Sequence, residues 1–316
     1  MIKSKFVISV LGKTKKLLGV EFVESKGKLH IHQQDYIKRI CEKFKQYKFP
    51  ISSLSISKGV VLSKLDCPNS KEEIERMSKL PYRNLIGCLY FLCNRSRPEI
   101  SHAVNIFSQF QENPGLVHWD ALLKLLGYVQ YTQHYMLDLS HIIEITVNCF
   151  SDSDFASNRD DRISMGGIIL FIDNVPIIWR SNKHKCVSLS TMESEYITLT
   201  DAAKEILWIS RILEKLNNFN PINFNSKSCN LFCDNRAAID FAKSPIENNR
   251  TKHIDVRYHF LRNLIYDELF TLKYIDSKNN IADVFTKDWT LQVFGKDICE
   301  DYVLNILISD IKLCNV

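Results

Sequence analysis

The 316-residue sequence contains no apolar run long enough to cross a membrane as a helix, so no membrane partner is expected. Its first residues, MIKSKFVISVLGKTKK, lack the long apolar stretch and small-residue cleavage site of a secretory signal. Ten cysteines include no pair with CxxC spacing, and without an export signal they are expected to be reduced thiols. For Cys229 and Cys233, core packing is favoured and a zinc site is the alternative.

Charge is unevenly distributed along a chain that is long enough for two domains. The first 146 residues contain 21 Lys and Arg against 13 Asp and Glu, and the remainder contains 20 against 23. A basic first segment beside an acidic second one suits a protein that binds phosphates with one part and metal ions with the other. A solvated lysine-rich face explains the same count, and charge alone favours that explanation.

Two glutamates in LSTMESEYITL, residues 189 to 199, lie at the start of a helical pattern. Its apolar residues recur at three- and four-residue steps, at Leu199, Ala202, Ala203, Ile206, Ile209, Leu213 and Leu216. Glu195 lies one turn before Leu199 on this stripe and is predicted to face inward, where a charge needs a compensating cation or donor. Glu193 points elsewhere and forms a predicted capping box with Ser190. A frayed first turn with Glu195 in water is the alternative.

Three other acids follow or end apolar runs in the same part of the chain. Asp152 ends VNCFSD and shares a strand face with Asp154 by two-residue alternation. Asp234 follows the strand-like CNLFC, and Asp283 lies in a short helix after LKYID. Each alone suits an ordinary strand end or helix cap. Together with Glu195 they predict an all-oxygen site for Mg²⁺ or Mn²⁺ rather than for zinc.

The order of elements from about residue 147 predicts an α/β fold. Three strands are expected at VNCFSD, GGIILFID and VPIIWRS, the last with a possible extension through KCVSLS, and the long helix follows. A strand at CNLFCD, helices at NRAAIDFAK and HIDVRYHFLRNLIYDE, a strand at LFTLKYID and a closing helix complete the order β-β-β-α-β-α-α-β-α. This order predicts a mixed sheet with flanking helices, whose site lies outside strand ends.

The first segment is predicted to be mostly helical with one β-hairpin. KKLLGVEFVESKGKLHIHQQ is the hairpin, with SKGK as its turn, and DYIKRICEKFKQYKF is an amphipathic helix. Pro50 opens a predicted loop to about residue 78. The next two segments, PYRNLIGCLYFLCNRSRPEISHAVNIFSQFQENP and VHWDALLKLLGYVQYTQHY, are helical by pattern, with Pro98 at a break or a first turn.

These motifs resemble copia-type LTR retrotransposon Pol polyproteins over nearly the whole chain. CFSDSDFA, STMESEYITLTDAAKEILWISRIL, CDNRAAIDFAKSP, RTKHIDVRYHFLR and NNIADVFTK resemble the ribonuclease H domain, and LLGVEFV, PYRNLIGCLYFL, RPEISHAVNIFSQF and HWDALLKLLGYV resemble the end of the reverse transcriptase. The resemblance implies a palm hairpin and thumb region over 1–146, a ribonuclease H domain over 147–290 and a tail over 291–316. It places the family's acids on Asp152, Glu195, Asp234 and Asp283, and it decides for Asp152 over Asp154.

The resemblance also implies what the chain binds and what it lacks. The polymerase's Tyr-x-Asp-Asp strand is absent, so reverse transcription is not expected of this chain. Phosphate contacts are predicted at Lys13, Lys15, Lys16, Lys26, Lys28, Arg250 and Lys252, with a solvated surface as the alternative for the hairpin lysines. For His253, two roles are open: a contact to the scissile phosphate, and packing or capping.

The implied activity is hydrolysis of the RNA strand of RNA–DNA hybrids with two Mg²⁺ or Mn²⁺ ions. Asp152 would bridge both ions, Glu195 and Asp234 would complete the shell of one, and Asp283 that of the other. The implied partners are the hybrid and the remainder of the Pol polyprotein, in a cytoplasmic virus-like particle or in the nucleus. The alternative is a non-catalytic nucleic-acid-binding remnant of a truncated element.

Overall fold

A computed structural model describes residues 12–25, 27–57, 59, 61–140, 142, 144–219, 222, 224, 229–244 and 255–287. The predicted tail over 291–316 lies outside these residues. None of the described helices is both long enough and apolar enough to cross a membrane. None of the eight described cysteines forms a disulfide.

The first segment combines a small antiparallel sheet with a layer of helices. Its strands are β1 (Lys16–Leu17), β2 (Val20–Ser25), β3 (Lys28–His32) and β4 (Leu137–Asp138), and its helices are α1 (Gln34–Phe44), α2 (Lys71–Ser78), α3 (Tyr82–Ser96), α4 (Ser101–Ser108) and α5 (Leu116–Tyr131). The strands lie in the order β1-β2-β3-β4. The predicted hairpin is β2 and β3, and its turn uses Gly27 at a φ of +78°, a conformation that glycine adopts without a steric penalty.

The predicted loop from residue 50 to 78 and the predicted break at Pro98 are both helical in part. Helix α2 lies within the predicted loop from residue 50 to 78, and a capping box marks its start. The Glu73 N–H donates to the Ser70 hydroxyl at 3.2 Å, and the Ser70 N–H donates to the Glu73 carboxylate at 3.3 Å. The break predicted at Pro98 is a 3-10 helix, Pro98–Ile100, between α3 and α4.

The second segment is a five-stranded mixed sheet covered by helices, as predicted. Its strands are β5 (Val147–Ser153), β6 (Met165–Ile172), β7 (Val175–Lys183), β8 (Cys229–Cys233) and β9 (Thr271–Tyr274), and its helices are α6 (Thr191–Phe219), α7 (Arg236–Lys243) and α8 (Asp255–Tyr266). The sheet order is β7-β6-β5-β8-β9. Strands β5, β6 and β7 pair antiparallel, whereas β8 is parallel to both β5 and β9.

Two predicted bounds in the second segment are corrected. Strand β7 ends at Lys183, so it does not extend through KCVSLS. The closing helix that was expected to carry Asp283 is a 3-10 helix, Ile281–Phe285. It packs against the face of the sheet opposite α6, with Phe285 fully buried beside Ile169 and Phe171. Alternation along the strands separates these residues from Leu170, which faces the α6 side.

The two segments have separate apolar cores and also contact each other. One core lies between α1, α3, α4 and α5, and the other lies between the sheet and α6, α7 and α8. Between them, the Trp179 indole N–H donates to the Cys93 carbonyl at 2.9 Å. The Asp160 carboxylate accepts from the Ser63 hydroxyl at 2.7 Å and from the Lys64 N–H at 2.9 Å. The domain boundary at residue 146 stays a prediction.

Candidate active site

The parallel pairing of β5 and β8 brings Asp152 and Asp234 to one edge of the sheet. Phe150 is the register partner of Phe232, so two residues later the chain reaches Asp152 on β5 and Asp234 directly after the end of β8. The Ser151 hydroxyl donates to the Phe232 carbonyl at 3.2 Å and continues the contact between the two strand ends. Neighbouring strands are about 4.8 Å apart, which is within reach of a shared cation.

Helix α6 places Glu195 at the same edge. Glu195 is 6% exposed, which excludes the alternative of a frayed turn in water. Its carboxylate, the Cys233 thiol and the Asp234 carboxylate offer ligand atoms that all lie within 4.8 Å of one another. The inward face predicted from the apolar stripe therefore carries Glu195 to the ends of β5 and β8.

Glu193 caps the start of the same helix. Its N–H donates to the Ser190 hydroxyl at 3.2 Å, as a capping box requires, and its carboxylate accepts from the Leu189 N–H at 2.7 Å. The prediction placed the second bond at Ser190, one residue further along. Glu193 is therefore a structural cap, although it is as deeply buried as Glu195.

Asp283 reaches the site on the 3-10 helix that follows β9. It is buried, and its carboxylate forms an ion pair with Lys287, four residues later. The hydroxyl of Thr286 donates to the Asp152 carboxylate. The Asn280 amide donates to the Ser151 carbonyl at 2.9 Å and fastens the start of the turn to β5.

Burial and neighbouring negative charge raise the pKa values of two of these acids, Asp152 and Glu195. Burial raises the pKa of Asp152 to about 6, with further increases from the charges of Asp283 and Asp234, while the Thr286 hydroxyl lowers it. Burial also raises the pKa of Glu195 to about 9, and the charges of Asp152 and Asp234 add to the effect. Clustered carboxylates with raised pKa values are typical of a site that is completed by cations.

Among the described residues, Lys287 is the cation that pairs with Asp283 and whose charge also acts on Asp152 and Glu195. Burial alone would lower the pKa of Lys287, but its hydrogen bond to Asp283 and the charges of Asp283, Asp152 and Asp234 raise it. Its side chain is 55% exposed, so it compensates the acids from the rim rather than from within.

The donor set fits a hard divalent cation better than zinc. Burial, followed by the charge of Glu195, raises the pKa of the Cys233 thiol. The Cys233 S–H instead donates to Glu195 at 3.9 Å. Cys229 contacts the Ser210 hydroxyl at 3.4 Å, one strand length from Cys233, so the two thiols do not form a zinc pair. Carboxylate oxygens from Asp152, Glu195, Asp234 and Asp283 remain, and they suit Mg²⁺ or Mn²⁺.

Asp154 takes a different role from Asp152. Strand β5 ends at Ser153, so the two-residue alternation does not continue to Asp154. Its carboxylate accepts from the Met165 N–H at 2.7 Å and from the Ser157 hydroxyl, and it holds the loop between β5 and β6.

The predicted phosphate contacts on the hairpin are largely paired with acids. Lys13 pairs with Glu24 at 2.8 Å, and Lys28 lies 3.9 Å from Asp138. Lys16 lies between two carboxylates, at 3.4 Å and 3.3 Å. Lys15 is exposed, and Lys26, Arg250, Lys252 and His253 lie outside the described residues. The phosphate contacts therefore stay predictions.

Thr286, Lys287 and His102 contact the site or its turn but were not singled out from the sequence. The spacing of Asp283 and Lys287, four apart in NNIADVFTK, is a signal for an ion pair on a helical turn. For His102, no local signal exists because its contact with Phe285 spans 183 residues.

The sheet order and the acids at its parallel strand ends define a ribonuclease H-like α/β protein. No protein-family model matches the chain. The chain is 34% identical over 304 residues to the retrovirus-related Pol polyprotein from transposon TNT 1-94 of Nicotiana tabacum, which covers 96% of this chain and 22% of that protein. It is 29% identical over 274 residues to the corresponding polyprotein from transposon RE2 of Arabidopsis thaliana, which covers 85% of this chain and 18% of the relative.

The chain belongs to the family of retrovirus-related Pol polyproteins from transposons. It spans about a fifth of the length of these curated relatives. Among solved structures, an N-terminal RNase H domain from Mycobacterium tuberculosis, fused to maltose-binding protein, is 9% identical with a TM-score of 0.34. That similarity covers 45% of this chain and 91% of the other.

Proposed function

We propose that this chain is the nuclease part of a copia-type Pol polyprotein and hydrolyses the RNA strand of RNA–DNA hybrids. The observation that carries the proposal is the convergence of carboxylates from β5, α6, the end of β8 and the 3-10 helix at one edge of the sheet. Four elements that are distant in sequence supply the four acids, and ordinary capping does not require them to meet.

Asp152, Glu195, Asp234 and Asp283 would hold two Mg²⁺ or Mn²⁺ ions. When bound, such ions supply a water of lowered pKa for attack on the phosphate and stabilise the departing 3′ oxygen. The Thr286 hydroxyl holds one oxygen of Asp152, which fixes the orientation of that carboxylate. Lys287 is placed to balance the charge of Asp283 at the rim of the site.

The substrate is proposed to be a hybrid duplex, recognised by shape. Contacts to 2′-hydroxyls across a wide minor groove would distinguish the RNA strand from the DNA strand, without dependence on base sequence. The hairpin lysines of the first segment are proposed to contact phosphates of the same duplex. Lys15 is exposed, whereas the described Lys13, Lys16 and Lys28 lie beside carboxylates.

The test is a cleavage assay with the two strands of a hybrid labelled separately. With Mg²⁺ or Mn²⁺, the purified chain should cut the RNA strand and leave the DNA strand intact. Asp152→Asn, purified in the same way, should have no activity, and equal cleavage by both would indicate a contaminating nuclease. Absence of cleavage by the wild type in either metal would favour the non-catalytic binding remnant.

A further inference from the structure

The carbonyl of Phe285 accepts hydrogen bonds from both segments of the chain. The Ser181 hydroxyl on β7 donates to it at 2.6 Å, and Nδ1 of His102 on α4 lies 3.2 Å from it. A carbonyl can only accept, so Nδ1 of His102 must carry the proton. All three residues are buried, where a lost hydrogen bond is not replaced by water.

Phe285 lies between the two residues by which this turn contributes to the acid site. Asp283 precedes it by two positions, and Thr286, whose hydroxyl holds Asp152, follows it directly. The orientation of the peptide plane between Phe285 and Thr286 therefore determines the position from which the Thr286 side chain extends toward Asp152. A donor fixed on the Phe285 carbonyl constrains the orientation of that peptide.

The turn has little freedom on the side of the sheet. A Cβ atom added at Gly167, the register partner of Asp152 on β6, would lie 2.7 Å from the Ala282 carbonyl oxygen and 2.8 Å from the Cβ of Phe285. The turn thus rests directly on the backbone of β6. His102 supplies the opposing contact from the first segment, so the turn lies between the sheet and α4.

Helix α4 is itself held along β7. Asn105, one turn after His102, donates to the Ser181 carbonyl at 2.7 Å. The side-chain amide oxygen of Gln109, the residue that follows α4, accepts from the Asn158 amide at 2.9 Å and from Lys183 at 3.0 Å. Asn105 on α4 and Gln109 directly after it thus hold the helix against β7 and the loop between β5 and β6, which supports the position of the His102 ring.

We propose that His102 is a positioning residue for the acid site, so that the polymerase-like segment completes the nuclease segment. This inference rests on the proposed function in taking Asp152 and Asp283 as metal ligands. The contact of His102 that gives it this role is with the backbone of the turn. It acts through the Phe285 carbonyl, which keeps Asp283 and Thr286 in place. Partners that orient metal ligands typically contribute about 10- to 100-fold to metal affinity.

The test compares two amides in place of the His102 ring. The side-chain N–H of His102→Asn can occupy the place of Nδ1, whereas the amide of His102→Gln extends to the place of Nε2. Mn²⁺ alone is titrated into the full chain, and free Mn²⁺ is measured by electron paramagnetic resonance. We expect His102→Asn to bind Mn²⁺ within about threefold of wild type and His102→Gln to bind at least about tenfold more weakly.

The control is Trp179→Phe, which removes the donor to Cys93 at the same interface and keeps an aromatic ring on the apolar cluster that includes the turn. It should lower the free energy of unfolding by about 1 kcal/mol and leave Mn²⁺ affinity unchanged. Equal Mn²⁺ affinity in His102→Gln and wild type would overturn the inference, as would an equal weakening in Trp179→Phe. Absence of Mn²⁺ binding by the wild type would overturn it as well.

The same samples separate this inference from the proposed function. If the wild type binds Mn²⁺ and cuts hybrids while His102→Gln binds Mn²⁺ with unchanged affinity, the nuclease function stands and the positioning role of His102 is wrong. If the wild type binds Mn²⁺ but cuts no hybrid, and if Mn²⁺ binding is weakened in His102→Gln and restored in His102→Asn, the positioning role stands and the nuclease function is wrong.

Discussion

The hydroxyl of Thr286 donates a hydrogen bond to the carboxylate of Asp152 and ties the turn that carries Asp283 to the strand that carries Asp152. This bond lowers the pKa of Asp152, but burial outweighs it, and the net shift is upward. The acids are thus held in place by the fold at a cost in free energy, because the ionised forms are only partly compensated. Substitutions that remove a charge and keep the shape should separate activity from stability.

Asp152→Asn should abolish RNA cleavage without unfolding the protein. The amide keeps the acceptor for Thr286 but removes the negative charge needed to hold two cations. In the absence of metal, the substitution relieves repulsion with Asp283 and Asp234, so the free energy of unfolding should rise by about 1 kcal/mol. Strand-specific cleavage and urea unfolding in EDTA measure the two effects.

Glu193→Gln is the control for that substitution. Its side-chain oxygen can still accept from the Leu189 N–H, so the cap is preserved and cleavage should stay within about twofold of wild type. Loss of activity in Glu193→Gln equal to that in Asp152→Asn would contradict the division of roles between the glutamates.

The contribution of Glu195 to the stability of the metal-free protein should fall as pH rises from about 5 to about 9. The pKa of Glu195 is raised from 4.5 to about 9 by burial and by neighbouring charge, so between these values the folded state binds more protons than the unfolded chain. The free energy of unfolding therefore decreases with pH in this window and is insensitive to Glu195 below it. Asp152 acts in the same direction up to about pH 6.

Urea unfolding in EDTA at a series of pH values measures this dependence. Glu195→Gln removes the titrating group, so it should flatten the curve and stabilise the metal-free protein at pH 8 by about 1–3 kcal/mol. Saturating Mg²⁺ should also flatten the wild-type curve, because bound cations favour the ionised acids. A wild-type stability that increases from pH 6 to pH 8 in EDTA would contradict the assignment.

Much of this arrangement could be predicted from local patterns. The apolar stripe of α6 indicated that Glu195 faces inward, and strand ends indicated Asp152 and Asp234. These predictions rest on periodicity, which the sequence carries directly. The shorter reach of β7 and the 3-10 form of the closing helix depend on packing against the sheet, which periodicity does not encode.

The contacts that organise the site were harder to predict because they join distant residues. His102 and Phe285 are 183 positions apart, and neither belongs to a motif that requires the other. For Asp154 the error was local. Strand alternation predicted that Asp154 shares a face with Asp152, but β5 ends one residue before Asp154. Sequence patterns thus identified the acids better than the groups that hold them.

Gly167→Ala should displace the turn that carries Asp283. The new Cβ would lie closer to Ala282 and Phe285 than packed atoms allow, so the turn or the strand must shift. We expect a loss of about 1–3 kcal/mol in the free energy of unfolding and weaker Mn²⁺ binding. Gly87→Ala is the matched control, because an added Cβ in helix α3 would meet no atom within 4 Å. It should stabilise the protein by up to about 1 kcal/mol, and a similar loss in both variants would contradict the argument.

Lys287→Met should shift the balance between the metal-free and metal-bound states. The lysine is paired with Asp283, so its removal should lower the free energy of unfolding in EDTA by about 0.5–1 kcal/mol. The site then has one more uncompensated negative charge, so Mn²⁺ should bind more tightly. Lys204→Met, which breaks an exposed pair with Asp201, should leave Mn²⁺ affinity unchanged. Weaker Mn²⁺ binding in Lys287→Met would indicate that the lysine supports the loaded site instead.

The hairpin lysines should govern the salt dependence of hybrid binding. If Lys15 and Lys16 each neutralise one phosphate, the double substitution to alanine should lower the magnitude of the log-affinity against log-salt slope by roughly 2. Lys15 should account for more of the change, because Lys16 already lies 3.4 Å and 3.3 Å from the carboxylates of Glu21 and Asp35.

Fluorescence anisotropy of a labelled hybrid in EDTA measures the slope without cleavage. Lys79→Ala, at a lysine that follows α2 and pairs with Glu75, is the control and should not change the slope. An unchanged slope in the double variant would assign the hairpin lysines to a solvated surface, and a change of roughly 1 carried by Lys15 alone would mean that the acids keep Lys16 from the phosphates.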